Sequence, residues 1–113
     1  MMNKEQAMNL LKNTFIDYTL IGDMTVKLTL SFFLLKKLES KMPEVAERYY
    51  KTQTKKQSEM RDTDLISILY TAYCCANIDD PELMDEETFA ILMGSDRMAL
   101  NGIVNRLVGA KKN

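Results

Sequence analysis

The chain has 113 residues, 46% of them apolar and 27% charged, proportions of an ordinary soluble globular domain, which disfavours disordered and fibrous architectures. Fifteen basic residues against sixteen acidic ones leave a net charge of −1, so the clustered positive charge that supplies most nucleic-acid affinity is missing overall. The chain holds no histidine, which removes the commonest general base and transition-metal ligand together.

Asn3 is placed to cap a short peripheral helix from Lys4 to about Lys12, with Ala7, Met8, Leu10 and Leu11 on its apolar side. No basic segment followed by an apolar one and a cleavage site appears between Met1 and Lys12, so the expected compartment is the cytosol. Thr14 to Leu20 is rich in β-branched and aromatic residues, Ile21-Gly22-Asp23 offers a turn, and Met24 to Leu28 alternates apolar with polar. Residues 14–28 therefore read as a small hairpin. Ser31 or Thr29 caps the next helix, through Lys41, in which Phe32, Phe33, Leu34, Leu35 and Leu38 cover well over half the circumference. Such a helix is either central or meets another chain on its uncovered side. The apolar run from Leu28 to Leu35 is broken by Thr29 and Ser31 and ends at Lys36-Lys37, far short of the ~20 residues of a membrane span.

Pro43 suits the first turn of a helix that fades near Lys51, with Val45, Ala46, Tyr49 and Tyr50 on its apolar side. The stretch from Arg48 through Arg61 carries five basic residues, both ends included, against the single Glu59, so residues 52–61 read as a mobile basic linker. Asp62-Thr63-Asp64 is expected to cap the central core helix, through Asn77, with Leu65, Ile68, Leu69, Ala72 and Ala76 at helical spacing. Adjacent Cys74 and Cys75 cannot easily pair with each other and read as buried thiols.

Asp79 to Glu87 holds six carboxylates around Pro81, without the alternation and central glycine of a calcium loop. They read as solvated charges near the amino end of a helix beginning at Asp85 or Met84, whose inward face is Phe89, Leu92 and Met93. Gly94 ends that helix, Ser95 caps the last one over Asp96 to Val108, Gly109 stops it, and residues 110–113 form a frayed tail. Phe89, Ala90, Gly94, Leu100 and Ile103 also fit a helix-turn-helix, whose reading residues would be Arg97, Asn101, Asn105 and Arg106. The carboxylates opening both helices oppose that DNA-binding alternative. Of nine methionines, Met60, Met84, Met93 and Met98 are read as core filling, with an adaptable binding surface as the other use. The fold class is mainly α, one domain with a short amino-terminal hairpin. No motif for a metal, a nucleotide or another cofactor is found, and a non-catalytic binding module is expected.

Three stretches carry a family likeness. Val26-Lys27-Leu28-Thr29-Leu30-Ser31 runs straight into the helix Phe32-Phe33-Leu34-Leu35-Lys36-Lys37-Leu38-Glu39. Asp64 to Asn77 forms the long apolar helix, and Met84-Asp85-Glu86-Glu87-Thr88-Phe89-Ala90-Ile91-Leu92-Met93, followed by Asp96, leads into the last helices. In this order of segments the chain resembles the short tail assembly chaperones of siphoviruses that infect Gram-positive bacteria. The likeness spans most of residues 14–113 and rests on apolar patterning. It implies a protein of the host cytoplasm, absent from the mature virion, that binds the long helical tape measure protein, keeps it soluble and promotes tail tube assembly around it. It also implies a longer product of ribosomal frameshifting that reaches the tail tube protein, with Lys111-Lys112-Asn113 near the slippery stretch. Repeated copies along one long partner would suit a self-associating chain. Phe32, Phe33, Leu35, Leu65, Leu69, Tyr73, Phe89 and Leu92 are the residues expected to build the core or an exposed partner groove. An unspecialised structural protein of the virion is the remaining reading.

Overall fold

A computed structural model describes the backbone of residues 1–112 and the side chains of residues 1–109. Six α-helices and one hairpin follow in the order α1 (Lys4–Lys12), β1 (Ile16–Thr19), β2 (Thr25–Leu28), α2 (Phe32–Lys41), α3 (Pro43–Thr52), α4 (Asp62–Ala76), α5 (Glu86–Leu92) and α6 (Arg97–Lys112). The fold is thus mainly helical with an amino-terminal hairpin.

At the centre stands α4, packed against β2, α2, α3, α5 and α6. Its apolar residues cover most of its circumference, so burial on several sides is the only arrangement that removes them from water. Leu65, Ile68, Leu69, Tyr70, Ala72, Tyr73, Cys74 and Cys75 are all buried. The buried Thr71 hydroxyl donates to the Ser67 carbonyl at 2.7 Å, so its polar atom is satisfied inside the helix.

Strands β1 and β2 pair antiparallel, Ile16 facing Leu28 and Thr19 facing Thr25. Gly22 (φ +88°) and Asp23 (φ +60°) make the turn in the left-handed region that glycine and aspartate tolerate best. Ladder bonding alternates along a strand, and the Leu20 N–H donates inward to the Met24 carbonyl at 2.7 Å. The outward edge of β2 is met by α4: the Thr29 N–H donates to the Ala72 carbonyl at 3.1 Å, and Asn77 Nδ2 reaches the Lys27 carbonyl at 3.4 Å.

An aromatic cluster joins hairpin, α4 and α5. The Phe89 ring stacks on Tyr73 at 5.0 Å and lies 5.6 Å from Tyr70 and 6.4 Å from Tyr18. Each tyrosine hydroxyl finds backbone, as buried phenols require. Tyr18 donates to the Met93 carbonyl at 2.6 Å, Tyr70 donates to the Met84 carbonyl at 2.7 Å, and Tyr73 accepts the Met84 N–H at 2.9 Å. The loop before α5 and the end of α5 are fastened in this way.

Several expectations need correction. Residues 52–61, expected as a linker, contain a 3₁₀ turn at Gln57–Glu59 and are tied to α4. Thr52 is buried, and Lys55 binds Asp64 at 2.9 Å. Helix α4 starts at Asp62 with Asp64 reaching back to the Arg61 N–H at 2.8 Å, so the third residue of the triplet does the capping. In α6 the cap is Asp96, which accepts the Ala99 N–H at 3.2 Å, and Ser95 is one residue too early. Gly109 does not stop α6, which runs to Lys112. Glycine ends a helix where it turns left-handed, as Gly94 does at φ +80°, and elsewhere it only weakens one. Of the frayed tail expected at 110–113, the backbone of residues 110–112 continues α6, and residue 113 lies outside the described residues. Met93 is buried and Met60 and Met84 pack half-buried on the core, but Met98 is 85% exposed and fills nothing.

Candidate binding surface

Helix α2 is placed by Ser31, whose hydroxyl accepts the Leu34 N–H at 3.3 Å, and by three leucines that face the core. Successive residues turn roughly 100° about a helix axis, so Leu34, Leu38 and Leu35 share one arc. Phe32 and Phe33 fall outside that arc on either side. The leucines are buried, whereas Phe32 is 72% and Phe33 42% exposed. Two adjacent phenylalanines at a helix start, both open to solvent, form an exposed apolar feature.

Beside them lies α1, whose Asn3 and Gln6 cap each other's backbone at 2.8 and 2.9 Å. None of its residues is buried. Leu11 packs half-buried on the core, and Leu10 is more than half exposed. An isolated nine-residue helix has little stability of its own, so α1 depends on this shallow contact. Lys4 of α1 sets its Nζ 5.8 Å from the Phe33 ring centre, and Lys37, one turn further along α2, sets its own at 5.7 Å.

A second concavity, about 650 Å³, opens between α3, α4 and α5, lined by Arg48, Lys51, Lys55, Ile66, Glu86 and Ala90 among others. Its cations are matched within the chain, Arg48 with Glu86, Lys51 with Glu47 at 3.7 Å and Lys55 with Asp64 at 2.9 Å, whereas Glu87 on the same lining joins no ion pair among the described residues. The backbone N–H of Arg61 and then the Lys55 ammonium hold the Asp64 carboxyl below its ordinary range. Such a groove offers a ligand no spare positive charge.

The eight residues expected to build a core or groove separate cleanly. Leu35, Leu65, Leu69, Tyr73 and Phe89 are core, Leu92 is half-buried on it, and Phe32 and Phe33 are surface. Lys4 and Lys37 were missed by sequence reasoning; the four-residue spacing of Phe33 and Lys37 was the signal for one, and only the packing of α1 reveals the other. Of the four DNA-reading candidates, Arg97 binds Asp62 and the Met60 carbonyl, and Asn105 accepts from Gln57 at 3.2 Å. Asn101 is half-buried and Arg106 exposed. The acidic segment is likewise engaged: Asp79 pairs with Lys41 at 3.3 Å, Asp80 accepts the Glu82 N–H at 2.8 Å and Asp85 caps α5 through the Thr88 N–H at 2.7 Å. Among the described residues, no three Cys, Asp or Glu side chains gather as metal ligands, and no helix is long and apolar enough to cross a membrane. Compared with protein-family models, with curated proteins and with solved structures, the chain matches none of them.

Proposed function

We propose that this chain is a non-catalytic assembly chaperone of the siphovirus tail type, which covers apolar helical segments of a tape measure protein in the host cytoplasm until tail tube subunits replace it. The observation that carries the reading is the exposed Phe32–Phe33 pair at the head of α2, beside the shallowly docked α1. A helical tape measure segment presents apolar stripes, and helix-in-groove recognition uses aromatic anchors of this kind. Both cysteines and Tyr18, Tyr49, Tyr70 and Tyr73 are buried in the core, so the exposed rings that a partner can meet include Phe32 and Phe33.

Co-expression with the long helical product of a neighbouring gene tests the reading. The tape measure protein is expected in the soluble fraction with the wild-type chain and in the pellet with Phe33→Asp. Because Phe33 lies outside the core, the variant should keep the wild-type circular dichroism spectrum and melting curve. Equal solubility with and without the chain would refute the proposal. Retention of the chain on DNA, lost as salt rises, would favour the helix-turn-helix DNA-binding alternative instead.

A further inference from the structure

The head of α2 carries a charge pattern as well as an apolar one. Lys4 and Lys37 both place an ammonium within 6 Å of the Phe33 ring centre, where the electron-rich face of an aromatic ring attracts it. Lys36 stands exposed next to Lys37. None of these three lysines joins an ion pair among the described residues. By contrast Lys27, Lys41, Arg48, Lys51, Lys55 and Arg97 each have a carboxylate partner within the chain. Lys12, Lys56, Arg61 and Arg106 also lack an ion pair among the described residues, but at the head of α2 two such ammonium groups sit against one exposed ring, although the whole chain is slightly acidic.

We infer that this surface takes an acidic amphipathic helix, with its apolar stripe on Phe32 and Phe33 and its flanking carboxylates on Lys4, Lys36 and Lys37. The inference rests on the chaperone reading and names the chemistry of the segment it binds. A partner that covers Phe33 also strips water from the ammonium groups against its ring, and carboxylates are then the groups that compensate them. Lysine pairs at the rim of an interface add little affinity each, but they reject like charge. The rings therefore supply affinity, and the lysines choose acidic helices over basic ones.

Two synthetic helical peptides test this against the full-length chain by calorimetric titration. They share one leucine stripe and differ only in having Glu or Lys at every flanking position. The Glu peptide is expected to bind about tenfold more tightly at low salt. The gap should close in about 1 M salt, where charges are screened within roughly 3 Å. The double variant Lys4→Glu, Lys37→Glu should invert the preference, and Phe33→Ala should weaken both peptides, each with a melting curve to check folding. Equal affinity for the two peptides overturns the inference, as does a preference that survives the double variant. It is also overturned if oligothymidylate or phosphatidylglycerol vesicles bind more tightly than the Glu peptide, or if Phe33→Ala abolishes self-association that the Glu peptide cannot displace. If the peptides bind equally while the tape measure protein is still solubilised through Phe33, only this inference fails. If neither peptide binds and nothing is solubilised, the proposed function fails with it.

Discussion

Burial decides what individual side chains do here. Cys74 and Cys75 are fully buried on α4, and burial pushes their thiols up to about 11 and about 12. The thiolate is the nucleophile, so both are expected to stay unmodified by a thiol reagent at pH 8 in the native chain and to react promptly in denaturant. Native-state labelling as fast as that of a free peptide thiol would contradict the packing of α4. Asp64 shows the opposite effect of position. The Arg61 N–H and the Lys55 ammonium favour its charged form and hold its carboxyl below the ordinary 3.8. A carboxyl depressed on folding stabilises the native state above its unfolded value and loses that contribution as pH falls through the folded one. Asp64→Asn is therefore expected to cost about 1 kcal/mol near neutrality, with the difference from wild type shrinking as urea titrations move below pH 3.8. A difference that stayed constant down to pH 2 would mean that the amide replaces the carboxylate contacts poorly for reasons of shape alone.

Elements were legible wherever a single periodicity ruled. The hairpin, α2, α3 and α4 follow from alternation or from helical spacing with a capping residue or, for α3, a first-turn proline, because one buried face leaves one permissible register. Ends were less legible, since Ser95 and Asp96 both have a capping oxygen and only backbone geometry chooses between them. The surface was harder still. An apolar side chain looks the same in sequence whether it enters a core or leaves it, so Leu35 and Phe32 were indistinguishable until α2 acquired neighbours. Lys4 joins the candidate site only because α1 lies beside α2, and no local rule gives that approach. Gly102 offers a test of α6 as a continuous helix. Nothing within 4 Å would meet a Cβ built there, and glycine inside a helix costs about 1 kcal/mol relative to alanine. Gly102→Ala is expected to raise stability by roughly 0.5–1 kcal/mol in urea denaturation. A loss would indicate that α6 is not helical at that residue or that another molecule packs on it.

At the scale of the whole molecule, one core has to hold together elements distant in sequence. Phe89 is fully buried and in ring contact with Tyr18 from the hairpin and with Tyr70 and Tyr73 from α4. The hydroxyls of the same tyrosines reach backbone at Met84 and Met93, on either side of α5. Replacing a buried phenylalanine by alanine commonly costs about 3–5 kcal/mol, through lost transfer energy and the cavity left behind. Domains of this size are stable by only about 5–15 kcal/mol. Phe89→Ala should accordingly lower the urea midpoint sharply, and Phe89→Leu, which keeps most of the volume, much less. Because the cluster couples hairpin, α4 and α5, the loss should be shared by the whole domain. Tyrosine fluorescence, which reports the cluster, and far-ultraviolet circular dichroism, which reports all helices, are expected to give coincident transitions in both variants. If α5 and α6 instead melt first, with the tyrosine signal lost before most of the helicity, the last third of the chain is a separate folding unit. Phe32 and Phe33 would then sit on the more stable part, and binding through them should persist in the Phe89→Ala variant under mild denaturation.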